Sequence, residues 1–207
     1  MQRRPLLALA AGLPLASWLP TSAHAASVGQ AAPDFSLEDT SGKAVKLSAF
    51  RGKTVVLEWN NPGCPFVRKH YQGNLQALQK EAAAQGVVWL AINSTREDSA
   101  DYLTPPQLAR WMAEKQAAPT AILMDEDGAV GQAYGARVTP HMYIVNAQGV
   151  LAYAGGIDSI PSARVEDIAR ATNHVRVALA ELAAGKPVSR PTSLPYGCSI
   201  KYHNAAG

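Results

Sequence analysis

Sulfur is the scarce reactive element of this chain, with 2 cysteines among 207 residues. One of them, Cys64, stands in Asn60-Asn61-Pro62-Gly63-Cys64-Pro65, a turn-rich segment. An apolar, β-branched run from Thr54 to Trp59 precedes it, and a helical pattern follows. Pro65 suits a first helical position, where its missing N–H is no loss, and this puts Cys64 at or next to the N-cap. Unpaired backbone N–H groups and the helix dipole favour a negative sulfur there. Arg68 and Lys69 fall within the next turn and a half, and His70 follows. A thiolate so placed is a nucleophile. The other readings are a small inert hydrophobe or half of a structural disulfide.

These residues need a frame to hold them. Strands are expected over 54–59, 87–92 and 121–124, each short, apolar and rich in β-branched residues. Segments 142–145 and 150–153 flank Asn146-Ala147-Gln148-Gly149 and read as a hairpin, and a smaller hairpin is expected between residues 28 and 47. Val67, Tyr71, Leu75, Leu78 and Ala82 predict one helix ending near Gly86. Further helices are expected over 106–115 and about 129–134. A last long helix is expected from Ser162 to Gly185, with Val165, Ile168, Thr172, Val175, Leu179 and Leu182 on its buried face. His174 reads as surface on that helix. The alternation implies an α/β fold, a central sheet with helices on both faces. Residues 186–207 hold Pro187, Pro191 and Pro195, so an extended tail is expected to carry Cys198.

Composition narrows the function. Hydrophobic residues make up 47% and charged residues 17%, enough to bury a core. Two cysteines exclude a four-cysteine zinc site. The net charge of +3, without any Lys/Arg cluster, gives no case for nucleic acid. Residues 1–25 have Arg3 and Arg4, a mostly apolar run from Leu6 to Leu19, and Ala23-His24-Ala25 as a cleavage site. This is the layout of an export signal, too short to span a bilayer. Arg3-Arg4 also resembles a twin-arginine signal. Losing those two arginines lowers the net charge to +1, and no membrane span remains after cleavage. The domains are then 1–25, an export signal; 26–185, one α/β domain; and 186–207, the tail. An exported, periplasmic setting permits disulfides.

The stretch from Val56 through Cys64-Pro65-Phe66-Val67 to Lys69 resembles the redox-motif region of the thioredoxin superfamily, with Cys64 as the first cysteine of C-x-x-C and Val67 in place of the second. Val138-Thr139-Pro140 is similar to that family's cis-proline loop, which faces the reactive cysteine. Gly29-Gln30-Ala31-Ala32-Pro33-Asp34-Phe35 resembles the opening of the peroxiredoxin-like, or redoxin, branch (alkyl hydroperoxide reductase and thiol-specific antioxidant). The resemblance implies a thioredoxin-like fold with a central mixed sheet, and a thiol oxidoreductase that needs no cofactor or metal. Partners would be a thioredoxin-like thiol/disulfide electron donor or a protein thiol substrate. Cys64 would be the nucleophile, and Thr139, Pro140, His141 and Asn61 would line the groove. Glu58 stands where thioredoxins bury a proton-handling acid; burial would raise its pKa, and solvent exposure is the other reading. Peroxiredoxins carry P-x-x-x-T-x-x-C, but here Leu57 and Asn61 replace the Pro and the Thr. The partner arginine has only candidates, Arg51 and Arg137.

Without a second local cysteine, Cys198 would have to resolve whatever adduct Cys64 forms, the tail folding back across the Cys64 loop. A static Cys64–Cys198 staple in a non-catalytic binding module is the alternative, and unpaired thiols are a third possibility. Copper held by Cys64, Cys198, His141 and His203 suits the ligand types but not the spacing. The substrates left open are protein disulfides, small thiols and peroxides.

Overall fold

The computed structural model describes residues 25–203. The segment expected to be an export signal therefore lies outside the described residues, apart from Ala25. A seven-stranded mixed sheet forms the centre. Its strands are β1 (Ser36–Asp39), β2 (Ala44–Lys46), β3 (Val55–Trp59), β4 (Val88–Asn93), β5 (Ala121–Met124), β7 (His141–Val145) and β8 (Leu151–Gly155), in the order β2-β1-β5-β4-β3-β7-β8. Strands β3, β4 and β5 run parallel, while β7, β8, β1 and β2 add antiparallel edges. The three parallel strands are joined through helices, as crossover connections require.

The two faces of the sheet bury different clusters. Val56, Trp89, Met142 and Ile144 face one side, where they pack with α1 (Pro65–His70), α2 (Asn74–Ala84), α3 (Pro105–Glu114) and α5 (His174–Ala183). Leu57, Trp59, Leu90, Ile92 and Tyr143 face the other, against a 3-10 turn at Leu47–Phe50 and α4 (Ala129–Tyr134). The period-2 alternation of the strands thus assigns every site residue to a face. Cys64 belongs to the first cluster and is buried.

Two expected helices are each interrupted. The helix expected from residue 65 to near Gly86 breaks between His70 and Asn74, because Gly73 takes φ +108°. The Gln76 amide closes the break, donating to the Tyr71 carbonyl while its oxygen accepts from Gly73 N–H. The long C-terminal helix becomes a 3-10 turn at Val165–Arg170, then an extended step, then α5. The Asp167 carboxylate gathers Ser162, Arg164 and Arg170 around the first piece and ties up its end. Asn173 caps the second, accepting from Arg176 N–H at 2.9 Å. His174 is consequently buried rather than on the surface.

The tail is extended, as expected, and lies against the body. It runs beside β8, with Ala154 N–H donating to Pro191 and Ser193 N–H donating to Ala154. It then forms β9 (Cys198–Ser199), which pairs antiparallel with β6 (Val138–Thr139). Among the described residues no helix is long and apolar enough to cross a membrane. Replacing Asn173 with Ala should cost about 1 kcal/mol, the usual worth of a side-chain cap, read as a lower urea midpoint at unchanged m-value.

Candidate active site

The site forms where β3, β6 and the tail converge. The loop after β3 is shaped by Asn61, whose carbonyl oxygen accepts Gly63 N–H at 2.7 Å and whose amide donates to Thr95 Oγ1 at 2.8 Å. Asn61 lines the site, but its polar atoms are occupied in holding the loop. Cys64 takes the N-cap position with Pro65 at the start of α1. Its thiol does not cap the helix. Sγ donates instead to the Thr139 carbonyl at 3.0 Å. The expected cationic neighbours are also committed elsewhere. Arg68 Nε donates to the Pro62 carbonyl, and Lys69 is fully buried against Asp158 at 3.4 Å.

Thr139 precedes Pro140 through a cis peptide bond. Its backbone meets both cysteines, accepting from the Cys64 thiol and standing as the register partner of Cys198 in the β6–β9 pair. Gly197 makes that approach possible. It has φ +143°, and a side chain there would run into the Thr139 carbonyl. Cys64 and Cys198 are free thiols that line one small cavity of about 30 Å³ with Asn61, Thr95, Asp101 and Thr139. The Cys198 thiol is pushed up to about 12, chiefly by burial and then by its hydrogen bond with Cys64. It is held as a protonated neighbour of Cys64.

Two tyrosines hold the tail on either side of Cys198. Tyr196 packs edge-on against Phe66 and donates to Asp158 Oδ1 at 2.5 Å. Asn74 donates to His70 Nδ1, which leaves His70 Nε2 to donate to Tyr196 Oη at 3.1 Å. Burial, more than its charged neighbours, lowers His70 to about 4, so this relay is built on a neutral ring. His70 is fully buried. Tyr202, on the other side, rests where Gly128 and Gly131 leave room, and donates to the Ala136 carbonyl at 2.9 Å.

Glu58 is fully buried, on the same face of the sheet as Cys64. Burial raises its pKa against the pull of four donors: Tyr71, Trp89, Gln79 and Asn60. None of its hydrogen bonds reaches Cys64, so its carboxylate fastens Tyr71, at the end of α1, to the sheet. His141 is a correction. It lies on the opposite face, with Nδ1 beside Tyr143 Oη at 3.2 Å and Arg137 N–H, and does not join the thiols. The copper set therefore does not assemble around Cys64. Arg51 is turned to the Gln148 carbonyl at the far end of the sheet.

The comparisons with known proteins follow the same lines. The sequence profile of the AhpC/TSA family matches residues 28–154. The chain belongs to that family. A thiol:disulfide interchange protein DsbE of Vibrio cholerae is 28% identical over 136 residues, spanning 65% of this chain and 67% of that protein. A hypothetical protein of Sinorhizobium meliloti 1021 superposes with TM-score 0.75 at 23% identity, covering 88% of this chain and 98% of the other. The thioredoxin domain of a thiol-disulfide oxidoreductase of Bacteroides vulgatus gives TM-score 0.52 at 18% identity, with 70% and 96% covered. This AhpC/TSA member thus has the thioredoxin-like fold expected from its motifs.

Sequence reasoning missed Asp158, Tyr196, Tyr202, Thr95 and Asp101. Aromatic residues flanking a Gly-Cys step in an otherwise proline-rich tail are the signal that marks the two tyrosine anchors. Asp158 and Lys69 carry none, since their pairing spans 89 positions.

Tyr196→Phe removes the hydroxyl that joins Asp158 and His70. It should speed alkylation of Cys198 by iodoacetamide roughly tenfold, through easier local opening of the tail. His141, lowered to about 3 by burial and by Arg137, stays neutral in the fold while the unfolded chain protonates it near 6.5. Relative to His141→Asn, the wild type should therefore lose stability as pH falls from about 6.5 toward 3. The loss is at most about 1.4 kcal/mol per pH unit, measured by urea denaturation across that range.

Proposed function

We propose that this protein is an exported thiol-dependent oxidoreductase in which Cys64 is the nucleophile and Cys198 resolves the product. The observation that carries the reading is the meeting of both free thiols in one cavity, joined through the Thr139 backbone. Cys64, once deprotonated, attacks a substrate disulfide sulfur or peroxide oxygen. The leaving thiolate or alkoxide departs with a proton. Cys198 then attacks the Cys64 sulfur and expels the bound group, leaving a Cys64–Cys198 disulfide. An external thiol reductant returns both to thiols, closing a cycle with no metal or cofactor. Pro140 shapes the wall behind Thr139, and Glu58 acts as a positioning residue beneath α1. The signal-like residues 1–25 support an exported, periplasmic setting, since a cycling disulfide needs a compartment that tolerates one.

The static-staple reading gains nothing from the geometry. Tyr196, Tyr202 and the β6–β9 pair already hold the tail without a sulfur–sulfur bond.

The test is turnover with a dithiol reductant and either a disulfide or a peroxide as oxidant. Cys64→Ser should abolish turnover. Cys198→Ser should slow the cycle and let a mixed disulfide or sulfenic acid accumulate on Cys64, visible as a mass shift. Equal rates for wild type and Cys64→Ser would sink the enzyme reading.

A further inference from the structure

Another cavity lies between the start of α5 and the tail, and shares no lining residue with the thiol cavity. It holds about 330 Å³, and its polar lining is Ser159, Thr172, His174, Glu181, Ser189 and Arg190. Small-molecule pockets span roughly 300–1,000 Å³. His174, the first residue of α5, is only 6% exposed. Neither ring nitrogen has a hydrogen-bond partner among the described residues, and neither is sealed from solvent. The rest of the residue is covered by the fold, so the ring reaches solvent through this cavity. Burial, and then Arg190, hold His174 below its ordinary pKa, so at neutral pH the ring offers one N–H and no charge. The Ser159 hydroxyl accepts Thr172 N–H at 2.9 Å and keeps its own proton to donate. Two formal charges face the cavity, Arg190 and Glu181. Among the described residues they pair neither with each other nor with any other charge. Glu181 stands about 10 Å beyond His174 along α5, and one of its oxygens accepts Ser189 N–H at 2.9 Å.

We propose that this cavity binds a small zwitterion, a free amino acid or short peptide. Its carboxylate sits on Arg190, the His174 N–H and the Ser159 hydroxyl, and its ammonium group sits on Glu181. A guanidinium matches a carboxylate in both charge and geometry, and the positive end of α5 adds to the attraction. Buried polar side chains nearly always have a partner, and the carboxylate supplies the one that His174 lacks. An anion alone would be opposed by Glu181, and a cation alone by Arg190. A ligand with both charges leaves neither opposed. Ser189 and Arg190 belong to the tail, so the bound ligand ties the tail to α5. The inference does not depend on the redox reading, because it uses neither thiol.

The experiment titrates glycylglycine into the full chain labelled at histidine and follows the His174 ring by NMR. N-acetylglycine, which keeps the carboxylate but lacks the ammonium group, is titrated in parallel. In the wild type, glycylglycine should move the His174 signals saturably. N-acetylglycine should bind about threefold more weakly, the worth of one exposed charge pair. Arg190→Gln should weaken both probes about tenfold, the worth of a charge-assisted pair. Glu181→Gln keeps an oxygen for Ser189 N–H and should bring the two probes to equal affinity. Lys46→Gln, on β2, makes the same charge change as Arg190→Gln far from the cavity and should stay within about twofold of wild type. The buried His70 ring reports on the fold in the same spectra. Absence of saturable movement at His174, or equal weakening by Lys46→Gln and Arg190→Gln, overturns the site. Equal affinity of the wild type for the two probes overturns the zwitterion.

Discussion

Around the two sulfurs, the backbone of Thr139 is the shared support. Its carbonyl accepts a hydrogen bond from the Cys64 thiol, and its strand position is the register partner of Cys198. A peptide carbonyl is fixed by its neighbours to within a fraction of an ångström, whereas a side-chain acceptor would rotate. Cys64 and the tail are thereby positioned by the same rigid group. The cis Thr139-Pro140 bond and the positive φ of Gly197 are the local conformations that accompany this meeting. Neither cysteine needs a charged neighbour to be held in place.

The tail stays there because polar groups were buried with partners. Asp158 is nearly inaccessible and is engaged by Lys69 and Tyr196, with His70 completing the relay. A buried carboxylate without such partners would be strongly destabilising. Lifting Tyr196 therefore exposes the tail and also unsatisfies the interior of the domain. This coupling makes the tail part of the folded body rather than an appendage. The Glu58 network does the equivalent work beneath α1, with four donors converging on one buried carboxylate.

Much of the frame was legible in the sequence. The central strands, the 146–149 hairpin and α4 follow from apolar runs and turn residues, which are local signals. Cys64 at a strand-to-helix junction was legible for the same reason, through Pro65. The helix breaks were not. Gly73 and Asn173 sit inside a good apolar periodicity, yet Gly73 takes a positive φ at a break that Gln76 closes, and Asp167 and Asn173 tie up the two ends where the long helix is interrupted. His141 shows the limit of adjacency. It follows Pro140 directly, yet the alternation of β7 sends it to the face away from Cys64. The Asp158–Tyr196 contact depends on three-dimensional placement, which no spacing encodes.

The separation of the two cysteines along the chain has a thermodynamic consequence. A bond between Cys64 and Cys198 would enclose the domain from α1 to β9 in one covalent loop. In the chain-entropy picture, closing so long a loop removes about 4–5 kcal/mol of denatured-state freedom. By linkage, the same free energy must appear in the electrochemistry. The folded pair would be harder to reduce than the unfolded one by roughly 100 mV. Resistance to unfolding and oxidising power would then trade against each other. A change that loosens the domain would make its disulfide easier to reduce even if it touched neither sulfur.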